Sequence, residues 1–124
     1  MALSLREHVK NGTVVAPGVF NAATAMLAER AGFKAVYVSG AGLSNAQGLP
    51  DEGLLSLDEV VRLSSYITRA VNVPVIIDAD TGFGGLAEVE RTAQAFIGIG
   101  ARAMQIEDQE FPKRCGHLPG KSVI

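Results

Sequence analysis

Two short stretches carry residue types able to do chemistry. The first is Asp78-Ala79-Asp80. Residues two apart on a strand face the same way, so both carboxylates would project together. Anions that close repel unless a cation lies between them. Mg²⁺ answers this with one or two carboxylates, waters and substrate oxygens, and Mn²⁺ can replace it. The plain alternative is an aspartate capping Gly82 beside a lysine-paired neighbour. The same-face spacing and the Thr81-Gly82-Phe83-Gly84-Gly85 turn favour the metal. The second stretch runs from Asp108 to Lys121 and holds the single cysteine, Cys115. Lys113 and Arg114 precede the thiol and His117 follows it, and cations so placed favour a thiolate. Gly116 permits a tight bend beside the sulfur. The stretch has few large apolar residues, so a mobile loop presenting a reactive thiol is expected, not a buried small hydrophobe. One cysteine and one nearby histidine fall short of a four-ligand zinc site.

Weaker signals surround these two. Glu107-Asp108 ends the next apolar run, where it could hold metal-bound water or simply form a surface pair. Ser39-Gly40-Ala41-Gly42 is small enough for backbone N–H groups to approach an anion, although such turns also occur in plain loops. Tyr37 offers a phenol to the same region, or is ordinary strand filling. His8 reads as a surface residue on the first helix.

The elements that must position these groups alternate. Ser4-Leu5-Arg6-Glu7 is a capping box opening a short helix that ends near Asn11-Gly12. Thr13 to Ala16 is a β-branched run stopped by Pro17-Gly18, and predicts a first strand. Asn21 caps a helix over 22–31, followed by a strand over 35–38. Residues 39–55 predict a long glycine-containing loop. Ser56-Leu57-Asp58-Glu59 opens another helix, closing around Asn72. Val73 to Ala79 is apolar on both faces, as in a parallel sheet covered on both sides. A glycine-rich turn over 80–85, a helix over 86–97 and a strand over 103–107 complete the series. Such alternation is the mark of an α/β protein. The chemistry-bearing residues all fall just beyond strand C-terminal ends, as in an eight-stranded barrel or an open doubly wound sheet. Periodicity does not separate these two.

Composition narrows the partners. The chain has 124 residues, enough for one domain over 1–124, and 48% of them are hydrophobic, enough for a core. Its net charge of −2 gives no field to gather nucleic acid or an anionic membrane. The lone cysteine forms no internal disulfide, which suits a reducing compartment. Met1 to Arg6 lacks a leader pattern and no apolar run is long enough to span a bilayer, so a cytoplasmic protein is expected.

Taken together, Tyr37-Val38-Ser39-Gly40-Ala41, Gly48-Leu49-Pro50-Asp51, Asp78-Ala79-Asp80-Thr81-Gly82-Phe83-Gly84, Ile106-Glu107-Asp108-Gln109 and Lys113-Arg114-Cys115-Gly116-His117 resemble the isocitrate lyase and phosphoenolpyruvate mutase superfamily. The resemblance is strongest to its methylisocitrate lyase branch. It implies a (β/α)₈ TIM-type barrel, tetrameric in the family, that uses Mg²⁺ to cleave a C–C bond of a small tricarboxylate during propionate breakdown. Other branches of the superfamily act as isocitrate lyases, phosphonomutases or oxaloacetate hydrolases. By position, the resemblance implies metal binding by Asp78, Asp80 and Glu107. It implies substrate binding by Tyr37, Ser39, Gly40 and Ala41, with Asp51 in the metal's outer environment. It makes Cys115 the catalytic acid, on a closing loop over about 108–121, with Lys113, Arg114 and His117 offsetting accumulated negative charge. Ala41 replaces the second glycine of the family's Ser-Gly-Gly turn, so its Cβ either crowds the anion site or is harmless if φ stays negative. A barrel needs roughly 200 residues or more. The expectation is therefore the first four βα units of a barrel, with exposed strand edges and little or no activity by themselves.

Overall fold

The computed structural model describes residues 3–124. Met1 and Ala2, the start of the stretch read above for a leader, lie outside the described residues. The order is α1 (Leu5–Lys10), β1 (Gly18–Val19), α2 (Ala22–Arg30), β2 (Val36–Val38), α3 (Gly40–Ala46), α4 (Leu57–Ala70), β3 (Val75–Asp78), α5 (Leu86–Gly98) and β4 (Ala103–Gln105). α1, α2 and α4 begin where the sequence supplies side-chain caps. Ser4 and Ser56 each close a capping box, with Glu7 and Glu59 respectively, and Asn21 accepts from the Thr24 N–H at 2.9 Å.

The four strands form one parallel sheet in the order β1-β2-β3-β4. Right-handed crossovers that always step to the next strand put every intervening helix on the same face. A doubly wound sheet reverses its strand order and covers both faces. The observed order is therefore that of a TIM-type barrel, represented by four βα units. Burial agrees: Val36, Val38, Val75 and Ile77 are buried with Ala25, Val60, Ile67 and Phe96 of the helices. The alternate residues Tyr37, Ile76 and Asp78 are only half-buried. Val73–Ala79 is thus covered by helices on one face, and its other face is the barrel's interior side.

Two element assignments need correction. The first strand is Gly18–Val19, beyond Pro17, and not Thr13–Ala16. Pairing decides it: Gly18 and Val19 register with Tyr37 and Val38, the Tyr37 N–H donates to the Pro17 carbonyl at 3.0 Å, and Val15 is exposed. β-Branched residues favour a pleated, half-buried surface, and Thr13–Ala16 has none to lie on. The connection over 39–55 is also not all loop, because Gly40–Ala46 is helical. The Ser39 hydroxyl accepts the Gly42 N–H at 3.1 Å, and Leu43 and Ser44 are buried, so capping and packing overcome the low helix propensity of glycine. Among the described residues no helix is long and apolar enough to cross a membrane.

The two faces of β3 predict different costs. Ile77 is fully buried under the helices, so Ile77→Ala is expected to destabilise the fold by about 2–5 kcal/mol. Ile76→Ala, on the half-buried face, is expected to cost clearly less. Urea unfolding of both variants checks the order, and equal losses would contradict the one-sided packing.

Candidate active site

The C-terminal ends of β3 and β4 bring three carboxylates together. Asp78, Asp80 and Glu107 each offer an oxygen, and these atoms lie within 4.8 Å of one another. Register explains this: β3 and β4 pair in parallel with Asp78 opposite Gln105, so the residues just after both strands emerge side by side. Asp78 is held by backbone. Its Oδ2 accepts from the Gly40 N–H and its Oδ1 from the Asp80 N–H, both at 3.0 Å. Asp80 sits in the left-handed region, with φ of 46°, a conformation that aspartate tolerates better than most residues. Glu107 accepts from the Gln109 amide, and the Glu107 N–H donates to the Asp80 carbonyl at 2.7 Å.

Asp80 is the electrostatically exposed member of this group. The Lys113 ammonium lies 2.8 Å from its Oδ1 but off the direction a hydrogen bond requires. Among the described residues that buried oxygen therefore has a charge partner and no hydrogen-bond donor. Burial pushes the Asp80 carboxyl above its ordinary range, Lys113 pulls it back, and the Asp78 and Asp51 charges raise it further. The Lys113 side chain is only 3% exposed, and its Nζ also donates to Asp51 Oδ1 at 2.8 Å. Burial by itself works against the ammonium, but its hydrogen bond to Asp51 and the negative charges of Asp80 and Asp51 outweigh that and hold it above the usual lysine range.

The donor set suits a hard divalent cation: three carboxylates clustered at one point, one with an orphaned buried oxygen. Gly40 makes room for it. A Cβ there would lie 2.9 Å from Asp78 Oδ2 and 3.4 Å from Asp80 Oδ1, closer than real Cβ contacts allow for the first. The residues present therefore fit the metal that the sequence motif implies.

The remaining residues named from sequence fall around this cluster with different bonding than expected. Ser39 and Gly40 open α3, but the Gly40 N–H is taken by Asp78 and the Ser39 hydroxyl by Gly42. Ala41 lies in that helix without a positive φ, so its Cβ is accommodated. Tyr37 donates its phenol proton to Gln105. Burial first, and then the charge of Asp78, hold that phenol protonated beyond its ordinary range. Asp51 meets the site through Lys113. Asp108 is exposed, and its carbonyl accepts from the Ile124 N–H at 2.9 Å. Cys115 is half-exposed, with Sγ 4.0 Å from His117 Nδ1. Arg114 turns outward and donates to the Pro119 carbonyl at 3.2 Å.

The segment over 108–121 is tethered more firmly than a free loop. Gln109 bridges Val123, the Glu110 N–H donates to Ser122 at 2.8 Å, and Lys121 reaches the Gly116 carbonyl at 2.8 Å. Gln109 is the residue that sequence reasoning passed over. It is 7% exposed, and its amide binds Glu107, the Arg114 carbonyl at 3.0 Å and the Arg114 N–H at 3.0 Å. Its position directly after Glu107-Asp108 is the only signal the sequence carries for this role.

Residues 5–121 match the family described as phosphoenolpyruvate phosphomutase. The chain belongs to that family. It is 56% identical over 123 residues to a 2-methylisocitrate lyase of Aeropyrum pernix, covering 98% of this chain and 40% of the relative. A solved oxaloacetate acetylhydrolase, in complex with the inhibitor 3,3-difluorooxalacetate, superposes with a TM-score of 0.92 at 37% identity. That match covers 99% of this chain and 43% of the other. A phosphonopyruvate hydrolase in complex with oxalate and Mg²⁺ superposes with a TM-score of 0.81 at 34% identity, over 85% of this chain and 37% of that one. The chain thus spans about two fifths of the length of these family members, and the matching part is the sheet and site described above.

The Gly40 contact gives a direct test. Gly40→Ala is expected to push the Asp78 carboxylate aside and weaken Mn²⁺ binding by on the order of tenfold, because a misplaced charged ligand loses about 1.4 kcal/mol or more. Ala41→Gly is expected to leave binding unchanged. Calorimetric titration of both variants decides it, and equal affinities would count against the site.

Proposed function

We propose that these four βα units supply the metal-binding and proton-donating part of a carbon–carbon lyase that splits 2-methylisocitrate into pyruvate and succinate. The observation that carries the reading is one juxtaposition: three clustered carboxylates at the strand ends, and a Lys-Arg-Cys-Gly-His segment anchored to one of them, Asp80, by Lys113. The 56% identity to a protein named for that reaction supports the choice of substrate.

Cleavage passes a proton from a substrate hydroxyl to a water molecule acting as base, breaks the adjacent C–C bond as the C–O bond becomes C=O, and leaves the electron pair on the departing dicarboxylate. Asp78, Asp80 and Glu107 would hold Mg²⁺, or Mn²⁺ in its place, which supplies electrostatic stabilisation of negative charge on the substrate oxygen. Asp78 is pre-positioned by two backbone N–H groups, so it holds its place before any ligand arrives. The Cys115 thiol donates its proton to the carbanion carbon as the segment closes, completing succinate. His117, 4.0 Å from the sulfur, is placed to return a proton to it afterwards. Tyr37, Ser39 and Gly40 line the approach to Asp78, and since the amides of Gly40 and Gly42 are taken by Asp78 and Ser39, the amide of Ala41 would meet a substrate carboxylate. Arg114 offers charge at the rim. The tetramer of the family and a cytoplasmic setting belong to the same proposal.

A second reading follows from the 0.92 TM-score to oxaloacetate acetylhydrolase: hydrolysis of a smaller oxo-dicarboxylate in the same site. Substrate choice separates the two. On a complete barrel carrying this segment, 2-methylisocitrate is expected to release pyruvate in a coupled assay, and Cys115→Ser is expected to cut that rate by about 10²–10⁴-fold. The same variant is expected to keep Mn²⁺ affinity. Release of acetate and oxalate from oxaloacetate, with no turnover of 2-methylisocitrate, would replace the lyase reading by the hydrolase.

A further inference from the structure

Lys113 stands out as a cation buried among the carboxylates that are proposed to hold another cation. Its Nζ is 2.8 Å from both Asp51 Oδ1 and Asp80 Oδ1, with the side chain 3% exposed. The chain makes room for it: Gly53, at φ of 70°, would bring a Cβ within 3.3 Å of Lys113 Cγ. Asp51 lies between α3 and α4, Asp80 follows β3, and Lys113 belongs to the segment carrying Cys115, so one ammonium joins three separate parts of the fold. Burial along that segment alternates: Lys113 is buried, Arg114 exposed and Cys115 half-buried.

We propose that Lys113 is a positioning residue that sets the cysteine segment against the metal: its ammonium and the divalent cation compete for Asp80. The proposal rests on the reading of Asp78, Asp80 and Glu107 as the cation's ligands. With Asp80 holding Lys113, the segment over 110–118 is pinned to the site. A cation drawing on Asp80 loosens that pin, leaving the ammonium on Asp51, and the segment gains freedom to move aside for substrate. By linkage, the segment's hold on Asp80 weakens the cation to the same extent that the cation weakens the hold.

Two measurements on the protein test this. Mn²⁺ titration followed by electron paramagnetic resonance compares wild type, Lys113→Met and Lys113→Arg. Removing the charge is expected to tighten Mn²⁺ by about thirtyfold or more, since a unit charge a few ångströms from a divalent ion repels it that strongly even in bulk water. Lys113→Arg, which keeps the charge, is expected to stay close to wild type. A purely structural role for the side chain would leave Lys113→Met affinity unchanged or lower, and either result overturns the proposal. Hydrogen exchange of the wild type needs no variant. The bonded amides of Glu110 and Arg114 are expected to exchange faster in saturating Mg²⁺ than without it. Exchange that is slowed or unaffected overturns the competition even if Lys113→Met fails to fold. Mn²⁺ binding by wild type with no difference in Lys113→Met sinks this inference alone; no Mn²⁺ binding by wild type sinks the metal reading along with it.

Discussion

Like-charge repulsion at the ends of β3 and β4 is the constraint around which this site is organised. Three carboxylates within 4.8 Å would drive one another apart unless each were compensated. The chain compensates them from three directions. Asp78 takes backbone N–H groups from α3 and from its own turn, Asp80 takes the Lys113 ammonium, and Glu107 takes the Gln109 amide. Hydrogen bonds to charged groups contribute about 1.5–3 kcal/mol each, more than neutral ones. The same contacts that settle the charge therefore fasten α3 and the cysteine segment to the sheet.

Placing the carboxylates also dictates the backbone that follows β3. Asp80, Gly82, Phe83 and Gly84 all have positive φ, four of five consecutive residues. Glycine serves where crowding is worst: a Cβ on Gly82 would meet Val89 at 2.4 Å, and one on Gly84 would meet Glu88 at 2.5 Å. Thr92, fully buried on α5, places its hydroxyl 2.9 Å from the Gly82 carbonyl and ties this turn to the helix layer. Asp80 and Phe83 lack glycine's freedom, and residues held so cost of order 1–3 kcal/mol each. That strain is tolerated because the turn sets Asp80 beside Asp78 and Lys113.

The parts legible in the sequence were those with local causes. Capping boxes at Ser4 and Ser56 fixed two helix starts, and strand-end placement of Asp78, Asp80 and Glu107 anticipated the cluster that the sheet register assembles. The parts not legible depend on partners distant in the chain. Thr13–Ala16 has the better strand composition, yet Gly18–Val19 is what lies beside β2. Glycines in 40–46 argue for loop until Ser39 caps them and Leu43 is buried. Barrel and doubly wound sheets share the same local alternation, and only the strand order tells them apart. Lys113 is the sharpest case. Two positions from the cysteine it reads as the thiol's cation, and only the fold reveals Asp51, 62 residues away, as its partner.

That relocation changes what surrounds the thiol. With Lys113, Arg114 and His117 all beside the sulfur, the surroundings would favour a thiolate, which is a nucleophile and a poor proton donor. In the fold Lys113 is committed to Asp51 and Asp80, and Arg114 to the Pro119 carbonyl. His117 stands beside the thiol, its Nδ1 4.0 Å from the sulfur. The sulfur is half-exposed, with that imidazole nitrogen for a neighbour and the neighbouring lysine engaged elsewhere. The two positive groups that precede the cysteine thus serve Asp51, Asp80 and the segment's own shape rather than the sulfur.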